Sequence, residues 1–374
     1  MRGLSWRNFD FLLLGAVVLA STFGAMMIRS AIAGNEGLLP LGNRQIYFVL
    51  IGLVVIVLLA SIDYRYWLSL HWPIYIIMMI FLLALSGLGQ AAFGAQRWFT
   101  FGVLFLQPTE FAKIVVILVL ARYFEKSQND PRDLKWLLKS LLWAWGLVIW
   151  ILLQPNLSNV VVSMVIWAGM VWMNGLQLKH VVIFGAVGVL AFGALVALTI
   201  SGIRLPFLQK YQQDRIVNFI LPDPNATYGS KYNVDQALIA IGSGGLFGKG
   251  YGYGTQTQFR FLKVRHTDFI FSATAEEFGL AGAIIVIAME AFIIWRCLRA
   301  AQKARDLSGA MIAFGVAMLL FFQGSANIAV NLRLIPVSGL PLPFISYGGS
   351  GLMSLMVGIG LVESVVMRHK SMDF

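Results

Sequence analysis

Long uncharged apolar runs, separated by short clusters of charge, set the strongest limit on what this chain can fold into. Residues Phe11 to Ile28, Gln45 to Ile62, Trp72 to Gln96, Val181 to Ile203, Leu307 to Leu332 and Leu334 to Val362 carry no charged side chain. Each run is long enough for one membrane span of about 20 residues. The stretch from Ser140 to Leu178 is too long for one: at 1.5 Å per residue a single helix would measure roughly 58 Å, so Gln154-Pro155-Asn156 is read as a hairpin between two spans. Two further spans hold charge, one from about Pro108 to Phe124 with Glu110 and Lys113, the other from about Phe269 to Trp295 with Glu276, Glu277 and Glu290.

The expected fold is therefore an all-α polytopic membrane protein of about ten transmembrane helices. It forms a single domain over residues 1–374. Composition agrees, with 59% apolar and only 12% charged residues and a mean hydropathy of +0.78, far from the roughly 25% charge of soluble domains. No room is left for a large soluble domain. The uncharged run after Arg2 and Arg7 exceeds a typical signal-peptide core and lacks a clear A-x-A site, so it is read as a retained first span.

A net charge of +11 would suggest nucleic acid in a soluble protein, but in a membrane protein it must first be divided by side. With the N-terminus inside, fifteen of the Lys and Arg residues fall on inner segments, whereas the short outer loops hold only Arg29, Arg44, Arg97 and Arg333. This follows the positive-inside rule, and ten spans return the C-terminus to the cytoplasm. What remains is a large extracytoplasmic loop, residues 202–268, between the seventh and eighth spans. It carries eight basic residues and three acidic ones before Asp268, and short interfacial helices such as Asn233 to Ile241 are expected in it. Redox and zinc chemistry are not indicated, since Cys297 is the single cysteine and the four histidines have no metal-ligand spacing.

Four constellations could carry chemistry. Seven glycines from Gly242 to Gly254 surround Lys249; the spacing fails the Walker pattern, leaving either a set of turns or a backbone approach to a phosphorylated ligand with Lys249 as counter-charge. Arg265-His266-Thr267-Asp268 stands where the loop re-enters the membrane, with Asp268 either capping the next helix or lining a wet cavity. One of Glu276 and Glu277 is expected on the face of Asp268. Glu110 and Lys113, three apart, can pair as a buried structural bridge or place Lys113 at the floor of a cavity for an anionic headgroup. The uncharged segment from Pro336 to Gly351, broken by three prolines and four glycines between Gly339 and Gly351, reads as a re-entrant or cavity-lining element.

Together His-Thr-Asp-Phe at 266–269 with Ala-Glu-Glu at 275–277, Pro-Leu-Pro-Phe-Ile-Ser-Tyr-Gly-Gly-Ser at 341–350, Gln-Pro-Thr-Glu at 107–110 with Lys113, and Gln-Arg-Trp at 96–98 resemble the SEDS proteins of bacterial cell-wall synthesis over nearly the whole chain. Residues 241–246, 254–256 and 265–271 are more similar to the elongation members, RodA, than to the division members, FtsW, while Asn331 follows the FtsW pattern. The resemblance implies a peptidoglycan glycosyltransferase of the cytoplasmic membrane that polymerises lipid II into β-1,4 glycan strands on the outer face, for cell elongation and shape. The alternatives are a division-specific polymerase and a flippase for the lipid-linked precursor. By resemblance Asp268 is the general base. The residues assigned to substrate are Lys113, Glu110, Arg97, Trp98, Arg215, Lys249, His266, Thr267, Glu277, Asn327, Ser346 and Tyr347.

A divalent cation, Mg or Mn, could bridge Asp268, Glu277 or the diphosphate, although no ligand pattern demands one. The implied partners are a class B penicillin-binding protein that supplies transpeptidation, since no S-x-x-K motif occurs here, and the membrane proteins of the elongation complex; nucleic acid is not among them. Two departures stand out. The family's Gln-Pro-Asp-Leu-Gly-Thr is Gln154-Pro155-Asn156-Leu157-Ser158-Asn159, and its Asn-Ile-Gly with a later glycine is Asn327-Ile328-Ala329 with Arg333.

Overall fold

The computed structural model describes residues 6–88, 90–92, 95–101, 104–202, 210–221 and 230–369. It is predominantly helical. Helices α1 (Phe11–Ile32), α2 (Leu39–Ser61), α3 (Tyr64–Ser69) and α4 (His71–Leu88) lead into three short strands, β1 (Gln90–Ala92), β2 (Ala95–Phe101) and β3 (Leu104–Leu106). There follow α5 (Pro108–Lys126), α6 (Leu134–Leu153), α7 (Leu157–Met173), α8 (Leu178–Ile200), α9 (Lys210–Ile220), α10 (Ser230–Ser243), α11 (Thr255–Gln258), α12 (Ile270–Lys303), α13 (Leu307–Asn331) and α14 (Gly349–Met367).

Local chemistry sets where these helices begin. Asp10, Asp133 and Asp306 cap α1, α6 and α13 by accepting from the backbone amides of Leu13, Trp136 and Gly309, which satisfies donors that have no partner inside a helix. Pro108 opens α5, where a missing N–H costs nothing. The expected hairpin at Gln154-Pro155-Asn156 is the link between α6 and α7. The strands form one antiparallel sheet in the order β1-β2-β3, with Phe99 opposite Leu106 and Phe101 opposite Leu104. This sheet is an addition to the all-helical expectation, built where the run after Leu88 gives way to glycines.

Among the described residues six helices, α1, α2, α6, α12, α13 and α14, are long and apolar enough to cross a membrane. Their outward faces carry exposed large apolar side chains, among them Leu19, Leu50, Val54, Leu142, Ile284 and Phe321; an apolar surface of this extent belongs in lipid. The chain is an integral membrane protein. At the centre, α5 packs against α4, α6, α7, α13 and α14 and is buried along nearly its whole length. α14 lies against α2, and α12 against α13 and α1.

Helix α12 is broken at Gly279, whose φ of 68° and ψ of −163° are not helical. The break frees backbone groups that lipid would leave unsatisfied at a cost of several kcal/mol each. The glycine cluster fills it. Leu280 and Ala281 donate to the carbonyls of Gly245 and Leu246 at 2.9 and 3.1 Å, and Lys249 and Gly250 donate to those of Glu276 and Glu277 at 3.0 and 2.9 Å. A Cβ on Gly248 would stand 2.1 Å from the carbonyl oxygen of Glu277, so only glycine permits this approach. In the structure the cluster forms turns packed against α12.

Candidate active site

The segment between α13 and α14 is non-helical from 332 to 348, as its prolines require. Its backbone is satisfied by side chains. Gln323 donates to Pro341 O at 3.1 Å, Asn327 to Leu340 O at 2.8 Å, and Ser158 Oγ to Ser338 O. Ser346 Oγ accepts from Leu342 N at 2.8 Å and donates to Thr267 O at 2.7 Å, while Tyr347 N donates to His266 O at 2.9 Å. The 332–348 segment and the His266-Thr267-Asp268 turn are thus bonded to each other, although 79 residues separate Ser346 from Thr267 in sequence.

A cavity of about 600 Å³ opens beside this junction, lined by Thr267, Asp268, Arg215, Glu110, Gln107, Asn156, Asn159, Tyr347 and the 335–341 strand of backbone. Asp268 is half-buried on its wall. Burial pushes its carboxyl up to about 6, opposed by the Arg215 guanidinium and by a hydrogen bond from Thr267. Arg215 reaches in from α9 and donates from Nη1 to Val337 O at 3.1 Å. Both groups converge over Gly339, where a Cβ would lie 3.8 Å from Asp268 Oδ2 and 4.0 Å from Arg215 Nη1, at a backbone φ of +73°. A carboxylate with a raised pKa and a guanidinium on the wall of the same roomy cavity suit proton removal from one reactant and stabilisation of negative charge on another.

Asp268 does not cap α12, whose start at Phe269 has no side-chain cap. Asn331 does that work from α13: its Oδ1 accepts from Ser272 N at 3.1 Å and from Ser272 Oγ at 2.5 Å. The amides of Asn331 and Asn327 both donate to the backbone carbonyl of Asp268, at 2.9 and 3.0 Å. The Asp268 carboxylate is therefore left to the cavity. Sequence reasoning placed Asn327 at the site and noted Asn331 only as a family marker; the signal was their i, i+4 spacing, which puts two amides on one helix face.

Lys113 is fully buried behind Glu110, donating to Glu110 Oε2 at 2.8 Å and to Gln323 Oε1 at 3.2 Å. Glu110 lines the cavity and also accepts from Asn159 at 3.1 Å, so the pair sits under the cavity with the carboxylate uppermost and the ammonium out of reach. Asn156, at the position of the family's aspartate, donates to Thr109 Oγ1 at 3.3 Å. Arg333 pairs with Asp235 at 3.0 Å. His266 stacks near Tyr347, with ring centroids 6.0 Å apart, and burial together with the Arg265 charge holds its imidazole below the ordinary value.

Three acidic and basic residues of this region lie away from the cavity. Neither Glu276 nor Glu277 lines the cavity of Asp268, because Asp268 belongs to a turn closed by Thr267 N and Phe269 N on Val264 O, so helical periodicity does not extend back to it. Nor does Lys249 reach that cavity: its Nζ donates to Glu276 Oε1 at 2.9 Å and Thr255 Oγ1 at 2.7 Å. Buried Glu276 also accepts from the amides of Gln256 and Thr257 at 2.8 and 3.0 Å, and Glu277 pairs with Ser30 Oγ at 2.5 Å. These residues tie the 244–258 segment to α12 and α1. Arg97 and Trp98 lie in β2, and their side chains are outside the described residues. Among the described residues no group of three His, Cys, Asp or Glu side chains converges as a metal cage.

Comparison with known proteins adds to this geometry. Residues 4–371 match the family described as "Cell cycle protein", which groups FtsW, RodA and SpoVE. The chain is 35% identical to peptidoglycan glycosyltransferase MrdB of Escherichia coli (strain K12) over 351 residues, covering 94% of this chain and 91% of that one. It is 31% identical to stage V sporulation protein E of Bacillus subtilis (strain 168), covering 95% and 96%. The fold is similar to the crystal structure of Thermus thermophilus rod shape determining protein RodA, with a TM-score of 0.71 at 28% identity over 98% of this chain and 99% of that one. A chain in a structure described as "Structural coordination of polymerization and crosslinking by a peptidoglycan synthase complex" matches with a TM-score of 0.79 at 28% identity, covering 96% and 98%.

Proposed function

The chain belongs to the FtsW, RodA and SpoVE family and is a peptidoglycan glycosyltransferase, and from that premise we propose that Asp268 is the general base of lipid II polymerisation. The acceptor sugar's 4-hydroxyl gives its proton to the Asp268 carboxylate as its oxygen bonds to the anomeric carbon of the donor. The bond from that carbon to the pyrophosphate breaks on the opposite face, and undecaprenyl pyrophosphate leaves with the electron pair. One displacement inverts the carbon and forms the β-1,4 linkage without a covalent enzyme intermediate.

Arg215, across Gly339 from Asp268, is placed to offset the charge that develops on the leaving pyrophosphate. Thr267 and Tyr347 contribute wall, and Asn327 and Ser346 position the turn that holds the base. Glu110, backed by Lys113, presents a polar floor.

The membrane arrangement belongs to the same proposal. Ten spans arise if α4, α5, α7 and α8 cross beside the six strongly apolar helices. Both termini are then cytoplasmic, and Asp268 faces outward at the end of the 202–268 loop. The role is elongation, on the similarity to MrdB and RodA, with a class B penicillin-binding protein as the cross-linking partner and the elongation-complex membrane proteins as neighbours. The observation that carries the reading is the half-buried Asp268 carboxylate facing Arg215 over a cavity of about 600 Å³. Its test is glycan synthesis from purified lipid II by the purified full chain, with and without the partner: Asp268→Ala is expected to make no polymer, and polymer at the native rate overturns the assignment.

A further inference from the structure

At the end of α12 remote from Asp268, a second cavity of about 330 Å³ lies between the start of α1 and the ends of α12 and α14. Arg296, Arg299 and Lys303 line it from successive turns of α12, at i, i+3 and i+7, and so share one helix face. His369 joins them from beyond α14. The one acidic side chain among the described lining residues, Asp10, is already spent: its Oδ2 accepts from Arg296 Nε at 2.8 Å and from Nη2, and its Oδ1 accepts from Leu13 N at 3.0 Å. Arg299 and Lys303 are exposed and have no carboxylate or carbonyl partner among the described residues. The Arg299 guanidinium rests on the Trp295 ring, 5.5 Å from its centroid.

The start of α1 also brings apolar side chains to the lining. Phe11 and Leu12, 66% and 62% exposed, begin α1 directly beside the cations. Two unpaired positive charges next to exposed apolar side chains, at the level where three membrane helices end, match a molecule with an anionic head and a hydrocarbon tail. A soluble anion would use the charges but would leave Phe11 and Leu12 unexplained. We propose that this groove binds the phosphate headgroup of one anionic phospholipid, with Arg299 and Lys303 on the phosphate and an acyl chain along Phe11 and Leu12. The site is separate from the polymerisation cavity and does not depend on the role of Asp268.

The test uses the full chain in detergent, titrated with phosphatidylglycerol or phosphatidylcholine and read by native mass spectrometry. The wild type is expected to bind phosphatidylglycerol in preference, and R299Q/K303Q to bind it roughly thirtyfold more weakly, at about 1 kcal/mol for each basic residue lost. R299K/K303R, which keeps both charges, should retain the preference and shows that the site still folds. K135Q/K139Q, which removes two cations of α6, should also retain it. Equal binding by the wild type and R299Q/K303Q, an equal loss in K135Q/K139Q, or displacement of the lipid by inorganic phosphate at the lipid's own concentration would each overturn the proposal.

Discussion

Asn331 holds Asp268 by its backbone and makes no bond to its carboxylate: the Asn331 side-chain amide donates to the Asp268 carbonyl at 2.9 Å, while its Oδ1 accepts from Ser272 N at 3.1 Å. Asn331→Asp keeps the acceptor for Ser272 and loses the donor to Asp268. The lost bond is worth about 1 kcal/mol, with a further penalty from a second carboxylate beside the first. The expected outcome is a slower polymerase whose acid limb lies at higher pH than in the wild type, read from lipid II turnover across pH.

The pH dependence follows from Asp268 itself. Burial raises its carboxyl to about 6, so the proton is retained until pH passes that value, and polymerisation that needs the carboxylate rises between about pH 5 and pH 7 and then levels. Arg215 lowers this value; Arg215→Gln therefore moves the limb upward. A limb at the ordinary carboxylate position in both proteins would count against a buried base.

The same shift has a stability consequence of opposite sign. A folded-state value above the unfolded one means that the neutral form is favoured by the fold, so this stability is present in full at low pH and lost as pH rises through about 6. Asp268→Asn is expected to be inactive, with a rate loss of roughly a hundredfold or more, yet to melt no lower than the wild type at pH 8. Thermal unfolding in detergent separates this from a fold defect.

Lys113 and Glu110 form a buried pair, the lysine fully enclosed. Lys113→Met leaves an uncompensated carboxylate and should destabilise by about 3 kcal/mol or more, whereas Glu110→Gln with Lys113→Met removes both charges and should recover much of that loss. Melting temperatures of the single and double variants decide. Equal melting of both would mean that the pair is not coupled.

Glu276 anchors the 244–258 segment through Lys249, Gln256 and Thr257. Glu276→Ala removes these acceptors together and should open residues 244–258 to proteolysis at protease levels that leave the wild type intact, while Lys249→Met should have the smaller effect. Limited proteolysis with fragment mass measurement reads both.

Much of the architecture was legible because membrane helices announce themselves locally. The runs of apolar residues, the Gln154 hairpin and the prolines of 336–351 each act through near neighbours, and α6, α7 and the non-helical stretch before α14 lie where these signals place them. The sheet at Gln90–Leu106 was not legible, since β1 and β3 have three residues each and the Ala-Gln-Arg-Trp-Phe-Thr-Phe of β2 does not alternate strictly. The site was legible as a set of residue types and not as a set of neighbours. Asp268, Thr267, Arg215, Glu110 and Tyr347 meet at one cavity, but Lys249 and Glu277 do not join them.

The physical reason lies in the two kinds of interaction involved. Hydropathy, proline and helix capping depend on a few adjacent residues, so the sequence by itself determined a polytopic membrane protein with a hairpin at Gln154-Pro155-Asn156 and a non-helical stretch before α14, while Asp268 stood out through its family resemblance and its place at the end of the long 202–268 segment. The tertiary structure alone decided which cation faces that carboxylate. Gly279 breaks α12, the freed carbonyls take up the glycine cluster, and Lys249 is carried onto Glu276, which leaves Arg215, from a helix more than fifty residues earlier, as the charge across Gly339 from Asp268.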